Sequence, residues 1–157
     1  MYIFSNDFIQ VFGQLALAMF LGTIIGAERR LAHKMAGMRT FALVCMGAAL
    51  FTIISEIAFS EFVGKPGFDP SRIASQIVVG IGFLGAGAII RQDSKIRGLT
   101  TAAGLWVTAA IGMSVGYRMF TVALAATFLT LIIFVGLWII EKRFISDEAK
   151  SWHGEND

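Results

Sequence analysis

The stretch Ile73–Arg97, IASQIVVGIGFLGAGAIIRQDSKIR, decides how this chain is read. It is too apolar and too long for an ordinary soluble helix, and its small residues fall on two faces. With Gly80 at zero and a turn of about 100° per residue, Gly80, Gly87, Gln76 and Arg91 lie near one direction. Gly82, Gly85, Ala86 and Ser75 lie near the opposite one. Helices in lipid associate by close van der Waals approach at small residues, because hydrocarbon offers no hydrophobic drive between them. A helix smooth on both sides therefore predicts a neighbour on both sides. The stretch reads as the central helix of a small membrane bundle.

The rest of the composition agrees. Of 157 residues 56% are hydrophobic, and the mean hydropathy is +0.72. One domain fits that length, and a soluble domain does not carry several runs of about 20 apolar residues. A formal charge of +2 is too small to suggest nucleic acid as a partner. The single Cys45 has no intramolecular disulfide partner and lies in an apolar run, where it reads as a small core or lipid-facing residue. The first ten residues hold no Lys or Arg, so no signal peptide is expected.

Four more apolar spans lie around the opening one: Phe8–Ala27, Thr40–Phe59, Thr101–Val115 and Met119–Ile140. The opening span is entered through Asp69-Pro70-Ser71, a start with proline and a capping hydroxyl. Thr100 or Thr101 is the expected N-cap of the fourth. Only Gly116-Tyr117-Arg118 separates the fourth span from the fifth, which predicts a tight antiparallel pair. Ten of the thirteen basic residues follow the first, third and fifth spans, leaving Lys65, Arg72 and Arg118 on the other side. The positive-inside rule then puts the N-terminus outside and the C-terminus in the cytoplasm. Residues 1–145 form the transmembrane domain, and residues 146–157 a short polar tail.

Several motifs carry competing readings. Gly80-Ile81-Gly82-Phe83-Leu84-Gly85 matches a dinucleotide-binding string, which needs a strand before it and a soluble βαβ unit around it. Inside a membrane span, helix packing is the better explanation. Gly22, Gly26, Gly112 and Gly116 offer further close-approach positions. Glu28, Arg29, Arg30, Arg39, Arg91 and Arg97 gather at predicted inner ends of spans. Snorkelling to headgroups explains most of the arginines, but not an acid flush against a span end. Glu28 is expected to pair with Arg39, Arg91 or Arg97, either as a structural cluster or as part of a ligand or partner site. Gln14 and Gln76 are costly in lipid and are expected to face protein, as polar lining if a solute pathway exists. No Asp or Glu lies deep in a span, whereas a Mg²⁺ pathway wants oxygen ligands near the midplane. His33 and His153 lack metal-ligand spacing to another His or Cys. No metal site, cofactor or catalytic constellation is predicted, and the chain does not read as an enzyme.

Two blocks name a resemblance: Gly22–Phe51 (GTIIGAERRLAHKMAGMRTFALVCMGAALF) and Arg72–Gly112 (RIASQIVVGIGFLGAGAIIRQDSKIRGLTTAAGLWVTAAIG). They resemble the two signature blocks of the MgtC/SapB membrane protein family, with G-x-x-I-G-x-E-R, A-G-[LM]-R-T, G-I-G-F-L-G-A-G and R-G-L-[NT]-T-A-A in order. The resemblance implies a multi-pass protein of the bacterial inner membrane with about five spans. It also implies a role in adaptation to low magnesium and, in pathogens, in survival inside host phagocytes. Regulation of another membrane protein is the implied mode of action. By motif the implied positions are Glu28, Arg29, Arg39, Thr40, Arg91, Arg97, Gly98, Thr100 and Thr101, with Gly80, Gly82, Gly85 and Gly87 as packing positions. Two departures count against a virulence role: Thr100 where some virulence-type members carry Asn, and Val107 where they carry Cys. Many members continue into an ACT-like cytoplasmic domain, which is absent from this sequence.

The expectation is thus an all-α polytopic bundle of about five helices in the inner membrane. It is expected to act through contacts with a second copy, a dimer being favoured, or with another membrane protein. Bound Mg²⁺ is left open. The alternative is a transporter or channel for Mg²⁺ or another small solute, with its pathway between protomers.

Overall fold

Each apolar span is a helix in the structure, a computed structural model that describes residues 2–66, 69, 71–92 and 95–140, with side chains from residue 7 onward. Helix α1 is Tyr2–Leu31, α2 Met38–Ala58, α3 Ser71–Gly87, α4 Leu99–Gly116 and α5 Phe120–Ile132. The last runs on through a π turn, Ile133–Leu137, and stays helical to Ile140. Among the described residues, four helices are long and apolar enough to cross a bilayer: α1, α2, α4 and the extended α5. Helix α3 is shorter, at 17 residues. The expected end of the transmembrane domain past Ile140 and the tail 146–157 lie outside the described residues.

Close contacts fix the helix directions. A Cβ on Gly22 would meet Ala42 and Cys45, and one on Gly26 would meet Met38 and Gly37, so α1 and α2 run antiparallel. Gly104 lies against Phe41, Gly112 against Cys45 and Ala48, and Gly116 against Thr52, so α2 and α4 run parallel. Gly85 rests on Ala102, while Ile81 shares a groove with Ala109. Helix α3 therefore traverses the bundle antiparallel to α4, despite its length. Phe134 reaches Gly104, which returns α5 to the end where α4 began. The last turns of α1 and α3, the first turns of α2 and α4, and the π turn of α5 thus meet at one end.

The packing is that of a bundle in lipid. Its buried core is rich in small residues (Ala18, Cys45, Ala48, Ala49, Ala109, Ala123), set among Ile25, Phe41 and Ile111. Many large apolar side chains, such as Phe12, Phe20, Phe83, Phe128 and Leu129, face outward. Small residues bring backbones together, and an apolar solvent takes the bulk. Buried hydroxyls stay within their own helices: Thr52 donates to the Ala48 carbonyl, Thr108 to Gly104 and Thr127 to Ala123, which satisfies them without a partner helix.

Four sequence expectations are corrected here. The central helix is α4, which packs on all four other helices, whereas α3 is gripped on one side only. Its buried residues are Ile81 and Gly85. Gly80, Gly82 and Gly87 have nothing within 4 Å of an added Cβ, and Ala86 is exposed, so these four do not pack helices within the chain. The stretch Ile73–Arg97 is not one helix. After Gly87 it turns into a small antiparallel hairpin, β1 Ile90–Gln92 and β2 Lys95–Arg97, in register Ile90↔Arg97, Arg91↔Ile96 and Gln92↔Lys95. Helix α4 begins at Leu99, and its N-cap is Gly98 rather than Thr100 or Thr101. Gly98 has φ +94, and a side chain there would collide with the Ala88 carbonyl, so the base of the hairpin closes at a residue only glycine can occupy. At the start of α3, Asp69 accepts hydrogen bonds from the Ser71 N–H at 2.9 Å and from Ser71 Oγ at 2.7 Å. The expected entry holds there, with the carboxylate as the acceptor; Pro70 lies outside the described residues.

Candidate functional site at the charged end of the bundle

The end where α1, α3 and α5 finish carries the charged residues singled out in the sequence. The α1–α2 connection is built for a close turn. Gly26 lets α1 approach the backbone at Gly37 and Met38. The Lys34 N–H then donates to the Arg29 carbonyl at 2.9 Å and the His33 N–H to Arg30 at 3.1 Å. This six-to-one and five-to-two pair of bonds closes the last turn of a helix on a left-handed residue, here His33 at φ 53.

That turn separates two adjacent arginines. Arg30 is exposed, whereas Arg29 is only 3% exposed. The guanidinium of Arg29 stacks on the ring of Phe134, 3.6 Å from its centroid. Its Nε donates to Glu28 Oε2, which closes an ion pair between neighbours in sequence. The expected partner of Glu28 was Arg39, Arg91 or Arg97, and the structure assigns it Arg29 instead. The physical reason is position: Arg39 is exposed on the first turn of α2, and Arg91 and Arg97 are exposed on the hairpin strands. Thr40 and Thr100 are exposed, and Thr101 is buried. The residues thus share one end, but among the described residues only Glu28 and Arg29 form an ion pair there.

Two members of this site were not read from the sequence. Phe134 sits in an apolar run that gives no sign of a cationic partner. A π turn places it, and such turns widen the helix locally and recur at functional sites. Gly104 makes room opposite: a Cβ there would come within 2.7 Å of the Phe134 ring. The hairpin was legible in principle, since Arg-Gln-Asp-Ser-Lys-Ile-Arg breaks the apolar run with turn-forming residues.

The glutamines part company. Gln14 is buried, and its amide donates to the carbonyls of Val115 and Gly116, both at 2.9 Å. It ties α1 to the far end of α4. Gln76 is exposed and borders an apolar groove of about 440 Å³ between α2 and α3. Among the described residues, no group of three or more His, Cys, Asp or Glu side chains is placed to hold a metal ion.

Comparison with known proteins agrees with the resemblance. The profile of the MgtC family matches residues 15–143. Protein MgtC of Salmonella typhimurium strain LT2 is 50% identical over 117 residues, 74% of this chain and 48% of the relative. YhiD of Escherichia coli K12, whose name marks it as a candidate magnesium transporter, is 46% identical over 122 residues, 76% of this chain and 57% of the relative. Protein MgtC of Brucella abortus is 45% identical over 113 residues, 72% and 45% of the two chains. The chain thus spans about half the length of these relatives. No solved structure matches it. A multi-pass bundle with small-residue helix contacts and an acid-arginine pair at its charged end, covered by a family match over most of its length, belongs to the MgtC family.

Proposed function

We propose that this membrane protein, whose relatives link it to magnesium, serves adaptation to low magnesium by regulating another protein of the bacterial inner membrane through helix contact. It does so without catalysis, with its N-terminus outside and its charged end in the cytoplasm. The observation that carries this reading is the open face of α3. Gly22, Gly26, Gly104, Gly112 and Gly116 are all consumed by contacts inside the bundle, whereas Gly82 meets nothing, and Ser75 and Ala86 on the same side of α3 are exposed. Small residues facing lipid gain nothing from it, but they let a foreign helix approach closely. Ser75, Gly82 and Ala86 form the edge offered to that partner.

The interior supports regulation over conduction. Gln14 is spent on backbone carbonyls, the hydroxyls of Thr52, Thr108 and Thr127 on their own helices, and Arg29 on Glu28 and Phe134. Polar groups held in this way do not offer an ion a chain of exchangeable ligands.

Purified chain in proteoliposomes, assayed for Mg²⁺ entry, tests the reading, together with affinity capture from native membranes. We expect no flux above empty liposomes, and capture of one membrane protein that is lost on Gly82→Leu. Gly82 is exposed, with nothing within 4 Å of an added Cβ, so the variant is expected to keep its fold. Flux that rises with protein and falls in Glu28→Gln would overturn the proposal in favour of a transporter.

A further inference from the structure

The other edge of α3 presents three features that fit a second copy of the same chain. Gln76, Gly80, Phe83 and Gly87 follow one another at steps of four, three and four residues, the spacing of a seam between two helices crossing at about 20°. Phe83 is 80% exposed, a bulky ring standing between two glycines that have open space where a side chain would be. Gln76 lies three residues from Val79, the midpoint of α3, and so about 5 Å from the middle of the helix along its axis. Its amide has no hydrogen bond among the described residues, and it faces out of the bundle. A primary amide near the centre of the hydrocarbon, without a partner, is among the costlier arrangements in a bilayer. Two of these residues, Gln76 and Gly80, border the α2–α3 groove, where Gly47 on the facing wall also has nothing within 4 Å. The surface is therefore recessed beside Gln76 and Gly80.

We propose that α3 is a homodimer seam in which the Gln76 amides of two copies bond to each other. Two copies inserted in the same direction are related by a two-fold axis along the bilayer normal, so each position on the seam meets its own counterpart. An amide carries both donor and acceptor and can satisfy its own copy. One residue class answers all three features at once: Phe83 of each copy seats beside Gly80 and Gly87 of the other, and the glycines bring the backbones close enough for the amides to meet. A lipid chain would leave Gln76 unsatisfied. An unrelated helix would need an amide at the matching depth. The seam uses the edge of α3 that the regulatory reading leaves free, so either can fail alone.

Disulfide cross-linking of Gly80→Cys in native membranes tests the seam, with Gly13→Cys as its control. Gly13 is an exposed glycine on α1 that also has open space, and the buried native Cys45 stays in place. We expect dimer from Gly80→Cys and background from Gly13→Cys. Adding Gln76→Leu should lower the yield about fivefold or more, the size expected for one interhelical amide pair in lipid. Energy transfer between labelled chains in bilayers, wild type against Phe83→Ala, gives a second reading that needs no introduced cysteine, with a fall of similar size. Equal yields at Gly80→Cys and Gly13→Cys, or energy transfer unchanged in Phe83→Ala, would overturn the seam.

Discussion

The guanidinium of Arg29 lies 3.6 Å from the centroid of the Phe134 ring and joins the last turn of α1 to the π turn of α5. Both groups are buried, Arg29 at 3% and Phe134 at 7% exposure, so the contact is desolvated and strong for its kind. Phe134→Leu should lower stability by about 1–3 kcal/mol, through the lost ring face and the smaller side chain. Phe134→Tyr keeps the face and should lose less. Thermal unfolding in detergent measures both, and a Phe134→Leu midpoint equal to wild type would show that the stacking contributes nothing. Arg29→Lys should behave more like Phe134→Leu, because an ammonium cannot stack as a planar guanidinium does.

The glycines divide into two groups that no count of them separates. Gly112 is buried with the Cys45 carbonyl directly against it, so a methyl group there forces α2 and α4 apart. Gly112→Ala should cost about 1–3 kcal/mol as overpacking of a close helix contact. Gly82→Ala places its methyl in open space and removes a poor helix former, so it should be neutral or gain up to about 1 kcal/mol. Comparison of the two midpoints is decisive: equal costs would mean that α3 is packed on the side where it is open here.

Much of this was legible in the sequence. Span positions followed from apolar runs ended by Glu28-Arg29-Arg30 and by Gly116-Tyr117-Arg118, because a bilayer fixes the length of its helices more tightly than water does. The gathering of Glu28, Arg39, Arg91 and Arg97 at one end followed from the alternation of span directions. The partner of Glu28 did not, since several arginines within reach are equivalent in a sequence and only rotamer and burial choose Arg29. The place of α3 was misjudged for a related reason. Its smooth faces are real, but periodicity says where a helix can be approached and not whether the approaching helix belongs to the same chain. Phe134 had no signal, because a π turn shifts the helical phase that such readings assume.

His33 closes α1 in the left-handed region at φ 53 without being glycine, and Arg118 does the same after α4 at φ 61. Each is the residue whose N–H bonds back to the helix, to the Arg30 carbonyl at 3.1 Å and to the Val115 carbonyl at 3.0 Å. A side chain in that conformation costs about 1 kcal/mol, which glycine does not incur. His33→Gly and Arg118→Gly should therefore each raise stability by about 1 kcal/mol, less the extra entropy glycine gives the unfolded chain. A fall in the unfolding midpoint for both would show that these side chains make contacts worth more than the backbone strain.

Asp69 sets a pH dependence at the other end of the bundle. Hydrogen bonds from the Ser71 hydroxyl and then the Ser71 N–H hold its carboxyl below the usual carboxylate range, with a smaller contribution from the charge of Arg72. The group is exposed, so its importance is local: it fixes the first turn of α3. A carboxyl with a depressed folded pKa supports the fold fully above its unfolded value of about 3.9 and loses that support as pH falls through the lower folded value. The start of α3 should therefore be insensitive to pH from neutrality down to about 5 and loosen only in stronger acid. The Ser71 amide resonance in micelles reports this directly: it should shift with a midpoint below about 3.9 in the wild type. In Asp69→Asn it should not titrate, because the amide can still accept the Ser71 N–H but has no proton to take up in this range. A wild-type midpoint at or above that of a free aspartate would mean that Ser71 does not hold the carboxylate, and that the first turn of α3 is fixed by something else.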